Sequence, residues 1–258
     1  MNRTGLICAL TIAIVAGVVF GLFPELDLRI AGHFYAVEDA VHNTFAWRLY
    51  PPLLRARNIG LWITAVPAAV AVGALAIKLI LPRHRLLIPG RAVVFLLATM
   101  IMAPGLMVNV ILKEHWGRSR PIDVTQFGGN EHFVAWWDPR GDCPANCAFV
   151  SGDVAGAFWT VAPAALAPPQ WRALAYGAAL AFGTGMAVFR VMVGAHFPSD
   201  VIFAGIFTFL IIWIVYALIY RWPRTRLSDD AIDRALSRLT LPAYDFIAGL
   251  FAQNRKSK

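Results

Sequence analysis

Phe189-Arg-Val-Met-Val-Gly-Ala-His-Phe-Pro-Ser-Asp200 is a short polar interruption between two long apolar segments. Roughly 18–20 apolar residues suffice to span a bilayer. Ionisable groups in such an interruption therefore sit at a membrane boundary, where they are costly unless paired or used. Arg190 offers a guanidinium that can grip an oxyanion. A carboxylate such as Asp200 can hold the Nδ1–H of an imidazole such as His196 and leave Nε2 as a base or nucleophile. The same three residues also suit a charged cap on a membrane helix, and this stretch alone does not separate the two readings.

Composition sets the class. Apolar residues are 59% of the 258-residue chain and charged residues 15%, against about 25% charged in a soluble domain. The pattern predicts an all-α polytopic membrane protein with six transmembrane helices. Four are expected near 6–23, 59–81, 92–112 and 201–220, and two more on either side of an inside turn at 168–172, after the loop that ends near 149 and before the turn that begins at 190. The first could be read as a cleaved signal peptide, but its apolar run is long and no small-x-small site precedes Pro24, which favours a retained helix. The aromatic, amphipathic segment 24–58 is too polar to span and is expected to form short interfacial helices. Pro104-Gly105 should kink the third helix. Two domains are expected. Residues 1–226 form the six-helix unit and 227–258 a cytoplasmic amphipathic tail, capped at Ser228, helical to about Leu239 and broken by Pro242.

The net charge of +8 is explained by basic residues at cytoplasmic helix ends and by anionic lipid headgroups. No aromatic–basic interleaving points to nucleic acid. Arg83, Arg85 and Arg91 mark one inside loop, and Arg221, Arg224 and Arg226 another. Counting from them puts both termini in the cytoplasm and the loops at 24–58, 113–149 and 190–199 outside.

Two further polar clusters fall on that outer side. Lys113-Glu-His-Trp-Gly-Arg-Ser-Arg-Pro121 follows the third helix. Snorkelling explains Lys113 well, but Arg118 and Arg120 stand where the positive-inside rule disfavours them, which suggests an anionic ligand. Phe149-Val-Ser-Gly-Asp153 opens the fourth helix. There Ser151 either caps the helix or, with Gly152, offers a hydroxyl and free backbone N–H groups to an anion. Converging, the three clusters can envelop a phosphoryl group with Lys113, Arg120, Arg190, a hydroxyl and amides, and a held imidazole can attack it.

Lys113-x6-Arg120-Pro121, Ser151-Gly152 and Arg190-x5-His196-x3-Asp200 together resemble the three-part signature of the type-2 phosphatidic acid phosphatase superfamily. The resemblance implies that Lys113, Arg120, Arg190, Ser151 and Gly152 bind phosphate. It implies that His196 is the nucleophile that becomes a phosphohistidine, with Asp200 orienting it, and that no metal or other cofactor takes part. The expected enzyme is an inner-membrane lipid phosphatase, without nucleic-acid partners, acting at the outer face. Its substrate would be of the lipid A 1-phosphate, undecaprenyl diphosphate or phosphatidylglycerophosphate type. A lipid phosphotransferase using the same site, or an impaired lipid-binding or transport relative, are the alternatives. The superfamily's usual second part is Pro-Ser-Gly-His, with the histidine assigned to protonating the leaving group. Here Asp153 stands in its place, which favours substrates whose departing oxygen needs little help. His115 or His132 could otherwise supply the proton. Phe189 also replaces the usual serine before Arg190.

Cys143 and Cys147, four residues apart in the outer loop, are expected to form a disulfide. A metal site is the alternative and would need two more ligands, for which His132 and Asp142 are unpatterned candidates. Cys8 is expected to pack inside the first helix's interface. His33 and His42, in the first outer loop, are weak catalytic candidates, and His84 a solvated one.

Overall fold

The computed structural model describes residues 3–37, 43–222 and 227–256. Helices α1 (Arg3–Leu22) and α2 (Glu25–Gly32) precede an antiparallel hairpin, β1 (Tyr35–Val37) and β2 (Asn43–Phe45), in which Tyr35 lies opposite Phe45. Helix α3 (Pro51–Ile80) follows. Then α4 (Gly90–Met100) runs through a π-helical stretch, Ile101–Leu112, into α5 (Lys113–His115). After a long loop come α6 (Gly152–Trp159), α7 (Val161–Ala165), α8 (Pro169–Met192), α9 (Pro198–Tyr216) and α10 (Asp229–Lys256).

Among the described residues, five helical segments are long and apolar enough to cross a membrane: Arg3–Leu22, Pro51–Ile80, Gly90–His115, Pro169–Met192 and Pro198–Arg221. The chain is an all-α polytopic membrane protein. The expected fourth crossing is instead divided into α6, of eight residues, and α7, of five. At 1.5 Å per residue neither piece reaches across a core of about 30 Å. The break falls at Thr160, whose hydroxyl donates to the Ala157 carbonyl at 2.6 Å. Buried Val154, Ala155, Ala157, Trp159, Val161 and Ala162 show that this segment is lined by protein, and the Trp159 indole donates to Thr99 Oγ1 at 2.9 Å.

Three other expectations shift. Helix α3 begins at Pro51, not near Ile59. Proline suits a first helical turn, so Arg55 and Arg57 belong to this long helix instead of a short interfacial one, and among the described residues between Pro24 and Tyr50 α2 is the one helix formed. The kink expected at Pro104-Gly105 appears as the π-helical stretch. Pro104 has no N–H for the Met100 carbonyl, and Asn109 Nδ2 donates to the Pro104 carbonyl at 2.7 Å. Pro242 does not end the tail helix. Ser228 Oγ caps it by accepting the Ala231 N–H at 3.1 Å, and α10 continues through Pro242. One missing amide bond bends a helix without ending it when the amphipathic period continues on both sides.

The fold divides into two compact units. Residues 1–64 and 99–214 enclose a core of Phe149, Val150, Val154, Phe189, Val193 and Phe203. A smaller cluster of Ala31, Phe45, Val124, Phe127 and Phe197 lies in the same unit. Residues 65–98 and 215–258 form the other unit. In that second unit the buried Lys78 Nζ donates to the carbonyls of Pro82 (3.2 Å) and His84 (2.8 Å) and to Asp233 (3.0 Å). Arg91 pairs with Asp229 at 3.2 Å. Arg224 and Arg226 lie outside the described residues. Cys8 is exposed on α1, not packed: Ala9, Ala16 and Phe20 form that helix's buried side.

Candidate active site

The loop after α5 folds back along its own beginning. The N–H groups of Cys143, Cys147 and Ala148 donate to the carbonyls of Gly117 (3.0 Å), Lys113 (2.9 Å) and Arg118 (2.8 Å). This zipper sets Asn146 between two cations. Its Oδ1 accepts from Lys113 Nζ at 3.1 Å and its carbonyl from Arg120 Nη2 at 2.6 Å. A disulfide joins Cys143 to Cys147 across the turn, with Cα atoms 5.7 Å apart, so neither thiol is free to ligate a metal. Asp142 is engaged by the exposed His132, at 2.8 Å from Nδ1.

His196 is 1% exposed and sits in the turn between α8 and α9. Gly194 makes the turn with φ of +67°, and a Cβ there would collide with the Phe45 ring. His196 Nδ1 is 2.7 Å from the Ala148 carbonyl. A carbonyl only accepts, so Nδ1 carries the proton and Nε2 the lone pair. Burial pushes the pKa of His196 well below the usual imidazole range, and the nearby Arg190, Arg120 and Lys113 lower it further. The ring is thus neutral, with a nucleophilic nitrogen beside three cations.

Asp200 lies farther from the ring than a hydrogen bond, 3.9 Å from His196 Nδ1. Its Oδ2 accepts the Phe197 N–H at 2.7 Å, and its Oδ1 accepts Arg118 Nη1 at 2.5 Å. The direct clamp on the imidazole is therefore the Ala148 carbonyl, while Asp200 fixes the turn and adds negative charge behind it. Arg118, 0% exposed, also donates to Ser199 Oγ (2.8 Å), Asp27 (2.7 Å) and the Val134 carbonyl (3.1 Å). Its guanidinium lies 4.7 Å from the Phe197 ring centroid. Asp27 in turn accepts the backbone N–H of Ser199 at 2.9 Å.

The second cluster meets the others at the start of α6. Ser151 precedes that helix without making a side-chain cap, and its buried hydroxyl has no partner among the described residues. Arg190 Nε is likewise buried and unpartnered. Buried polar atoms are rarely left so, and these two can be satisfied by an oxyanion. A Cβ on Gly152 would lie 2.8 Å from Asn109 Oδ1 and 3.4 Å from Lys113 Nζ, so glycine keeps that space open. Asp153 is paired with Arg57 of α3, Nε at 2.7 Å and Nη2 at 3.4 Å, and with Arg190 Nη1 at 3.4 Å. Beside these residues is a cavity of about 290 Å³, walled by Arg48, Arg57, Arg120 and Arg190 together with apolar Leu49, Leu54, Phe189 and Val193.

All the sequence-predicted phosphate-site residues, Lys113, Arg120, Ser151, Gly152, Arg190 and His196, thus gather in one unit of the fold, with Asp153 and Asp200 beside them. A family model described as the PAP2 superfamily matches residues 92–224, which hold every part of this constellation but Arg57 and Asp27. The chain belongs to the PAP2 superfamily. A lipid A 4'-phosphatase of Francisella tularensis subsp. novicida (strain U112) is 34% identical over 227 residues, covering 86% of this chain and 98% of the relative. Lipid A 4'-phosphatases of Rhizobium leguminosarum and Rhizobium etli are 37% and 41% identical over 47% and 41% of this chain, and over 52% and 41% of their own lengths. No solved structure matches the chain. As a PAP2 member it is a membrane-embedded lipid phosphatase, of the phosphoric monoester hydrolase class.

Three residues that the structure places at this site carry no clear signal in the sequence. Arg57 and Asp27 both lie in the 24–58 segment expected to form interfacial helices, and Ala148 acts through its carbonyl. Other histidines are elsewhere. His33 and His115 are exposed, with Nδ1 on the carbonyls of Arg29 (2.8 Å) and Ile111 (3.0 Å) in their own helices, and His42 lies outside the described residues.

Proposed function

We propose that this enzyme removes the 4'-phosphate of lipid A by way of a phosphohistidine on His196. The observation that carries the substrate is the similarity to the Francisella lipid A 4'-phosphatase along nearly all of that protein. The mechanism rests on the neutral His196, with Nε2 free, among Lys113, Arg120 and Arg190. In this reading the three cations, the Ser151 hydroxyl and the Gly152 region hold the phosphoryl oxygens. Nε2 attacks phosphorus in line with the departing oxygen. Asp200, fixed by Arg118, stabilises the positive charge that the ring gains. Water then hydrolyses the phosphohistidine.

On sequence alone Asp153, a poor proton donor, favours lipid A 1-phosphate or a diphosphate. A 4'-phosphate is instead an ester of a sugar hydroxyl, whose departing oxygen is as basic as an alkoxide. The reading also puts the site at the outer face of a bacterial inner membrane, since Arg83, Arg85, Arg91 and Arg221 lie in the inside loops of the charge count. By that count both termini are cytoplasmic, with residues 227–258 a tail on the inner surface.

The test is a panel of lipid A 1,4'-bisphosphate, phosphatidic acid, phosphatidylglycerophosphate and undecaprenyl diphosphate, offered to the purified protein in detergent. Inorganic phosphate should be released from lipid A, and fragment masses should locate the loss at the 4' position. Release from the glycerolipids alone, or loss of the 1-phosphate alone, contradicts the substrate. Transfer of the phosphate to a second lipid without release makes the protein a phosphotransferase.

A further inference from the structure

The chemistry just described leaves a basic oxygen with nothing to receive it. A departing sugar oxygen needs a proton or a strong hydrogen-bond donor as the P–O bond breaks. Asp153 is bound by the guanidiniums of Arg57 and Arg190. An aspartate so paired is a carboxylate, which accepts hydrogen bonds and has no proton to give. His33, His115 and His132 are exposed and turned to their own partners. None of them lines the cavity next to the phosphate site.

Arg57 does line it. Two of its nitrogens, Nε and Nη2, are taken by Asp153. Its Nη1 makes no hydrogen bond to any described residue, and the side chain is 34% exposed, within a cavity whose other cations include Arg120 and Arg190. It reaches the site from α3, an element that carries none of the phosphate-binding residues. Asp153 is the common partner of Arg57 and Arg190, so one carboxylate fixes the spacing between them. A cation held this way is preorganised, and such donors stabilise developing charge at little reorganisation cost.

We propose that Arg57, held by Asp153, receives the departing oxygen of the substrate. The inference rests on the phosphatase reading above. As His196 Nε2 forms its bond to phosphorus, the P–O bond to the sugar breaks and its electron pair passes to the oxygen. That oxygen accepts hydrogen bonds from Arg57, which stays protonated. A water supplies the proton that makes the sugar hydroxyl. The hydroxide left behind is neutralised when a second water cleaves the phosphohistidine and yields hydrogen phosphate. Asp153 is a positioning residue here, and Arg57 a catalytic one.

The experiment measures kcat, KM and steady-state phosphohistidine, trapped in alkali, on lipid A 1,4'-bisphosphate micelles. It compares the wild type with Arg57→Ala, Arg57→Lys, Asp153→Asn and the double variant Arg57→Ala/Asp153→Asn. Arg57→Ala should lower kcat by about 10²–10³-fold, the usual effect of losing one oxyanion donor, with KM within about threefold. Its trapped phosphohistidine should fall, because formation slows and hydrolysis does not. Arg57→Lys should recover part of the rate, and the double variant should be no slower than Arg57→Ala. An Arg57→Ala protein with kcat within about threefold of wild type, or one that alters KM alone, overturns the proposal. So does a double variant in which the two losses multiply. Wild-type protein that releases no phosphate from this lipid would instead fail the phosphatase reading, and the proposal with it.

Discussion

Asp27 and Arg118, 91 residues apart, form an ion pair of 2.7 Å in which both side chains are 0% exposed. The same guanidinium reaches Asp200 and the hydroxyl of Ser199. Helix α2 is thereby tied to the turn that carries His196. Removing one partner of a buried pair leaves a charge without compensation, at a cost of about 3–5 kcal/mol. Asp27→Ala should therefore lower the thermal midpoint by several degrees and reduce turnover, although Asp27 touches none of the phosphate-binding residues. An unchanged midpoint in a detergent thermal-shift assay would show that the pair does not hold this turn.

The pH profile should reflect a neutral His196. Burial and the surrounding cations hold its pKa well below the usual imidazole range, whereas an exposed histidine titrates near 6.5. The nucleophile is the neutral form, so acidification through pH 6.5 should not switch it off. After allowance for the substrate's own phosphate ionisation near pH 6, kcat/KM should stay level from about pH 8 to about pH 6. An enzyme-derived acid limb at or above 6.5 would contradict this. The stability effect has the opposite visibility. The unfolded chain takes up the proton first, so stability should decline as pH falls below about 6.5.

The tail helix should govern stability and not chemistry. Lys78 is 2% exposed and relies on Asp233 for its charged partner. Asp233→Ala should lower the thermal midpoint yet leave kcat and KM within about twofold, since the proposed site residues all belong to the other unit. A large fall in kcat at normal folded yield would tie α10 to the site.

The disulfide should matter through Asn146, which it encloses. Reduction frees the turn that holds Lys113 and Arg120. The expected result is a severalfold rise in KM with a smaller change in kcat. Labelling of the unreduced, denatured protein with a maleimide should find Cys8 alone. Labelling of all three cysteines would remove the bridge.

Much of this site was legible because its chemistry lies in three polar stretches set against apolar ones. Lys113, Arg120, Arg190 and His196 stand out by residue type and spacing. Arg57 and Asp27 did not, because each acts on a partner 96 or 91 residues away and sits among other surface-like charges. The Ala148 carbonyl has no signature at all: any residue supplies one, and only the loop zipper aims it at His196. From sequence alone Asp200 reads as the direct partner of the ring. Its spacing of four residues fits contact across one helical turn, but the N–H of Phe197 and the guanidinium of Arg118 claim both oxygens. The divided α6–α7 segment was also hidden, since an alanine-rich run reads alike whether it crosses a membrane or stops inside a protein.

The most direct measurement is the covalent intermediate. Purified protein is mixed with lipid A labelled in its 4'-phosphate, quenched in alkali, digested, and read by mass spectrometry for phosphohistidine. The label should reside on His196 alone, and His196→Ala should carry no label and release no phosphate while folding normally. Label on another residue, or undiminished phosphate release by His196→Ala, would contradict the assignment of His196 as the nucleophile.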